Sequence, residues 1–138
     1  MSDPLLAVSR IAVSGLTSQS VRLRVIAENI ANAHSTGMTA EAAPYRRKTV
    51  SFETVADPYV DGQGVRVSGI GYDKSPPIIR YDPGHPAADG SGYVKYPNVS
   101  PIVEMADMRE AERSYEANLQ VFRQVRELVS QTIDLLKG

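Results

Sequence analysis

The side chains best suited to chemistry are His34, His85, Asp82 and Asp89. Asp82, His85 and Asp89 fall close together in sequence, where an acid–base group, a small hydrolase site or a metal site can be drawn. Metal sites need three or four ligands at recognisable spacing, and neither histidine has such company. No Ser or Cys nucleophile motif accompanies the cluster. His34 falls where a first helix should end. His85 sits in Pro83-Gly84-His85-Pro86 and reads as a turn histidine fixed by prolines. Asp89-Gly90-Ser91-Gly92 lacks the Asp/Asn alternation and closing Glu of a calcium loop, which leaves a hairpin turn. No catalytic residue, metal, cofactor or small-molecule substrate is therefore expected.

Charge gives no other ligand class. Arg46-Arg47-Lys48 beside Tyr45 has the chemistry of a small nucleic-acid patch. Its surroundings are neutral, however, and the run reads as a solvated strand edge. Positive and negative charges number three and two over residues 1–37, seven and seven over 38–101, and five and seven over 102–138. With a net charge of −1, no field draws the chain to nucleic acid or to a membrane surface. There is no cysteine, so disulfides and thiolate sites are excluded. No apolar run reaches the ~18–20 residues of a membrane span. A secretory signal is not expected either: Asp3 precedes the apolar stretch and Arg10 interrupts it.

The elements that would carry any site are two long helices. Residues 102–137 contain no glycine or proline. Met108, Tyr115, Phe122, Val129 and Leu136 share one heptad position, and Ala111, Asn118, Val125 and Thr132 the other. Val121, Leu128 and Leu135 widen the stripe on one flank, and Leu119 and Ile133 on the other. About ten such side chains, at roughly 2 kcal/mol each, stabilise a helix that is marginal alone. One facing helix leaves part of the arc wet, so the stripe reads as an assembly surface.

At the other end, Asp3-Pro4 reads as N-cap and first helical position. Leu5, Val8, Ala12, Leu16, Gln19, Leu23, Ile26 and Ile30 then recur at helical steps. Gly15, Ser18 and Ser20 weaken this helix, which should stop between Asn32 and Gly37, a residue tolerant of positive φ. Residues 38–101 hold eight of the nine prolines and seven of the ten glycines. Strands are expected within 45–55, 64–68 and 78–81, residues 93–96 read as a further strand or an extended arm, and Pro83-Gly84 suits the centre of a type II turn. The fold class is α+β: long terminal amphipathic helices packing as a coiled-coil-like pair, with a small loop-rich β domain between them. The expected segments are 1–37, 38–101 and 102–138.

Asn118 has two readings. A seam amide fixes register or partner number at a cost in stability; alternatively the stripe is slightly rotated and Asn118 lies at its edge. Glu112, Arg113 and Glu116 beside Tyr115 can steer a docking helix or form ordinary surface pairs.

Ala27-Glu28-Asn29-Ile30-Ala31-Asn32, followed by Thr36-Gly37, resembles the N-terminal signature of flagellar axial proteins. Tyr81-Asp82-Pro83-Gly84-His85-Pro86, then Asp89 and the run from Gly92 to Val99, with Glu104-Met105 and Arg113-Ser114-Tyr115-Glu116-Ala117-Asn118, narrows the likeness to the proximal rod of the basal body. The resemblance covers nearly the whole chain. Met38 departs from it, because many axial proteins place an aromatic after that glycine, and a loop over 39–44 is extra.

The resemblance implies a structural protein, exported through the flagellar export apparatus without a cleaved signal peptide and polymerised into a periplasmic rod. The terminal helices would line the core of the tube and the middle segment would face outward. Implied partners are copies of the chain, other rod proteins, the export-gate adaptor FliE and the export apparatus. The candidate interface comprises Leu5, Leu16, Leu23, Ile26, Asn29, Ile30 and Asn32 at one end. At the other it comprises Met108, Tyr115, Asn118, Leu119, Phe122, Val125, Val129 and Leu136. A competing class is a soluble helical adaptor or export chaperone that binds a partner's amphipathic helix.

Overall fold

The computed structural model describes residues 3–138. Helix α1 spans Pro4–Ala31, strands β1 to β4 span Lys48–Ala56, Gln63–Tyr72, Ile78–Tyr81 and Tyr93–Tyr96, and helix α2 spans Pro101–Lys137. The α+β class is thus observed. The strands form two separate two-stranded sheets, β1 with β2 and β3 with β4.

Local chemistry accounts for the boundaries. Asp3 caps α1, its Oδ1 accepting the Leu5 N–H at 2.9 Å, and Pro4 supplies a first position that needs no donor. Beyond Ala31, Asn32 Nδ2 donates back to the Glu28 carbonyl at 2.9 Å, while its Oδ1 accepts the Ser35 hydroxyl at 2.9 Å. Pro101 opens α2 in the same way as Pro4 opens α1, and the Glu104 N–H reaches the Ser100 carbonyl at 3.0 Å.

Two expectations about glycine are corrected. Gly92, at φ 85°, is the one glycine in the left-handed region among the described residues. Gly37 therefore does not close the helix through positive φ. It is required for space, because a Cβ there would stand 2.6 Å from the Ala42 carbonyl oxygen. Asp82–His85 is a turn closed by the His85 N–H on the Asp82 carbonyl at 3.1 Å. Without positive φ at Gly84 it is not a type II turn.

The chain divides into two compact units. One holds the described residues through Leu23, with Ser51–Gly69 and Arg109–Gly138. In it Ala7, Ala12, Val60, Ala111 and Val125 are buried. Of the small residues that weaken α1 as an isolated helix, Gly15 and Ser18 are buried in its packing here, and the half-buried Ser14 joins them. Ser14 Oγ accepts the Val65 N–H at 3.1 Å and Ser18 Oγ donates to the Val65 carbonyl at 3.2 Å, so two helix hydroxyls satisfy one strand residue. Arg10 adds an ion pair with Asp57 at 2.7 Å and lies over the Tyr59 ring at 4.9 Å.

The other unit comprises Arg24–Val50 and Ile70–Met108. Its core is Val25, Ile26, Ala33, Ala87, Val94, Pro97 and Val99. Strands β3 and β4 pair antiparallel, with Ile78 opposite Tyr96 and Tyr81 opposite Tyr93. Asn98, just before α2, ties three loops together. Its Oδ1 accepts the Arg47 N–H at 2.8 Å, and its Nδ2 donates to the carbonyls of Asp73 at 3.2 Å and Ser75 at 3.1 Å.

Candidate functional site

The residues first considered for chemistry do not converge. His85 Nδ1 accepts the Ala87 N–H at 3.0 Å, and its Nε2 lies 3.5 Å from Thr36 Oγ1. Asp89 Oδ1 accepts the N–H groups of Ser91 at 2.9 Å and Tyr93 at 3.0 Å. Asp82 meets the Tyr96 hydroxyl at 3.5 Å. Each is engaged in shaping the β3–β4 connection. Among the described residues no group of three His, Asp or Glu side chains could hold a metal ion.

Two other features stand out: an apolar stripe that the chain only partly covers, and a buried polar cluster. The stripe is covered at its start. Val125 is buried, while Met108, Tyr115, Asn118, Leu119 and Phe122 are half-buried. On α1, Leu5, Leu16, Leu23 and Ile30 are half-buried and Ile26 is buried. Leu5 and Leu6 line a groove with Val125, Val129 and Ile133. Asn118 packs on Gly15 and donates to the Ser114 carbonyl at 2.9 Å. Beyond Val125 every residue of α2 is exposed, and Leu135 and Leu136 are 82% and 83% exposed. The last three turns thus display Leu128, Val129, Ile133, Leu135 and Leu136 to solvent, while Leu6, Val8 and Val13 are exposed on α1.

The polar cluster lies within the second unit. Asn29 is 1% exposed, with its amide engaged on both sides. Nδ2 donates to the Lys48 carbonyl at 2.9 Å, and Oδ1 accepts the Lys48 N–H at 2.9 Å and the Tyr45 hydroxyl at 2.8 Å. The side chain thus acts as a strand neighbour for the first residue of β1. Glu104 is fully buried; it accepts from Arg47 Nε and lies 3.5 Å from Asn29 Nδ2. Arg47 also reaches Asp73 at 3.4 Å and Asp107 at 3.5 Å.

Burial opposes the charge of Arg47, but the hydrogen bond it donates to Glu104 and the fields of Glu104, Asp73 and Asp107 outweigh it and raise its pKa. Hydrogen bonds from Ser75, with the nearby Arg47, hold the Asp73 carboxyl below its ordinary value. Burial pushes the Tyr45 phenol up.

This overturns the reading of Arg46-Arg47-Lys48 as a solvated edge. Arg46 is exposed, but Arg47 is the counter-charge of a buried carboxylate, and Lys48 pairs with Glu28 at 3.0 Å. A signal for Glu104 was present in the sequence: one heptad before Ala111, the inward seam of α2 carries a carboxylate. A charge in that place needs a cation.

Residues 10–42 match the family described as flagella basal body rod protein. Residues 91–135 match the family described as flagellar basal body rod FlgEFG protein C-terminal. Both matches fall in the class of flagellar rod proteins. The chain is 59% identical to the flagellar basal-body rod protein FlgC of Agrobacterium fabrum, over 99% of this chain and 98% of that one. It is 41% identical to the protein of that name from Borreliella burgdorferi, over 93% and 95% of the two chains. With the one from Salmonella typhimurium it shares 42% identity, over 95% and 97%. The chain belongs to the FlgC family of flagellar basal-body rod proteins.

Proposed function

We propose that this structural rod subunit, which is not an enzyme, polymerises through its two terminal helices, neighbouring copies and other rod proteins covering the stripes that one chain leaves open. Residues 1–37 and 102–138 form the core of the tube, and 38–101 face outward. The observation that carries this reading is the end of α2, where Val129 and Leu136 lie exposed at heptad spacing beyond the last buried residue, Val125. Exposed apolar surface of this extent marks an interaction site.

The FlgC family gives the setting, the flagellar basal body. Within it we place the chain in the periplasmic rod, delivered by the flagellar export apparatus without cleavage of a leader and meeting the adaptor FliE at the base. An N-terminus shortened by a leader's length in purified basal bodies would contradict that route. The open ends of the helices order fully when neighbours cover them, so the entropic cost of ordering is met at assembly.

The test uses Val129→Asp and Leu136→Asp. Both positions are exposed, and Leu136 lies outside the groove that Val129 shares with Leu5, so the Leu136 variant in particular should fold as before. Placing a charge in a dry helix interface is costly, so incorporation into basal bodies and motility should be lost. Normal incorporation of both variants would overturn the assignment of the stripe.

A further inference from the structure

We propose that the buried Arg47–Glu104 pair is a register lock, selecting which turn of α2 lies against the end of α1 and the start of β1. The inference concerns the single chain and does not rest on rod assembly. Glu104, Ala111, Asn118 and Val125 recur at seven-residue steps along α2, and all but Asn118 are buried. The apolar members fix register only weakly. A slide of one turn replaces Glu104 with Met108, and a slide of one heptad replaces it with Ala111; either offers Arg47 an apolar side chain. Neither can accept a hydrogen bond from the guanidinium.

Asp107 cannot take over without turning the buried face, because three residues fall about 60° short of a full helical turn. In the observed register Glu104 accepts from Arg47 and lies beside the Asn29 amide. It therefore binds the end of α1, the start of β1 and the start of α2 together. A buried pair of this kind contributes little net stability over apolar residues of similar size, while removing one partner leaves the other uncompensated. Selection of one arrangement is its best-attested use.

The absence of cysteine allows clean spin labelling at Ala27→Cys on α1 and Ala106→Cys on α2, both exposed and both in the second unit. Pulsed electron paramagnetic resonance on the full chain should give one narrow distance. In Arg47→Met/Glu104→Leu the urea midpoint should stay near the parent's while a second distance appears, displaced by up to about 5 Å, the pitch of one helical turn. Glu104→Gln alone should lower the midpoint and broaden the distribution, or unfold the unit, because it removes the buried carboxylate and leaves Arg47 only the more distant Asp73 and Asp107. A folded double variant with one unchanged narrow distance would overturn the proposal. So would a double variant that fails to fold, because the pair would then be a stability element.

Discussion

Asn118 lies directly on Gly15: a Cβ at position 15 would stand 2.6 Å from its Oδ1 and 2.8 Å from its Cγ. The amide is anchored to its own helix by the bond to the Ser114 carbonyl, so it cannot swing away without losing that bond. Glycine in mid-helix costs about 1 kcal/mol relative to alanine, and here it makes room for a polar side chain of the other helix.

Gly15→Ala should therefore destabilise, despite its better helix propensity. Overpacking costs about 1–3 kcal/mol, against a propensity gain of about 1 kcal/mol. Adding Asn118→Ala should recover the loss, a coupling that a double-mutant cycle by urea titration would read. Additive effects would show that the two residues do not interact.

Gly92→Ala should be costly for a different reason. The residue has φ 85°, and a Cβ there would meet the Tyr81 ring at 2.8 Å. Backbone strain of this kind costs on the order of 1–3 kcal/mol. A lower thermal midpoint is expected, with β3–β4 amides exchanging faster than those of α2.

The acid limb of stability follows from Asp57 and Asp73. The hydrogen bond from Arg10 lowers the pKa of Asp57, and those from Ser75 lower that of Asp73. A carboxyl with a depressed folded pKa contributes stability that is present above its unfolded value, about 3.9. That contribution is lost as pH falls through the folded value. Stability should hold from neutral pH to about pH 4 and fall below it. Asp57→Asn and Asp73→Asn should each lower the neutral plateau and flatten the acid slope, as read by urea titrations across pH. An unchanged slope in both would show that these pairs are not linked to folding.

The alkaline limb has the opposite sign. The hydrogen bond to Glu28 raises the pKa of Lys48, and burial raises that of Tyr45. Their contributions are present below the unfolded values, near 10, and decline as pH rises through the folded ones. Lys48→Met should weaken the loss of stability above about pH 10, monitored by circular dichroism.

Periodicity made the helices and strands readable, because long amphipathic stripes and glycine-bounded alternation depend on local spacing alone. The same spacing placed Leu5 and Val129, which line one groove. What sequence could not supply was the partner of each polar group. Arg47 looked like one of three surface bases until Glu104 came beside it from 57 residues away. Asn29 is engaged inside the chain by the backbone of Lys48, a contact that no local pattern encodes. Glycine misled for a related reason: the need at Gly37 is space beside Ala42, a tertiary demand, and among the described residues only Gly92 has the positive φ that turn chemistry anticipates.

The most direct test of the open stripe is amide hydrogen exchange along α2, comparing the dilute chain with intact basal bodies. Residues 126–137, exposed in the single chain, should exchange rapidly when free and become strongly protected in the rod. Residues near Ala111 and Val125, already buried, should change little. Equal protection of 126–137 in both states would contradict the idea that neighbours complete this helix.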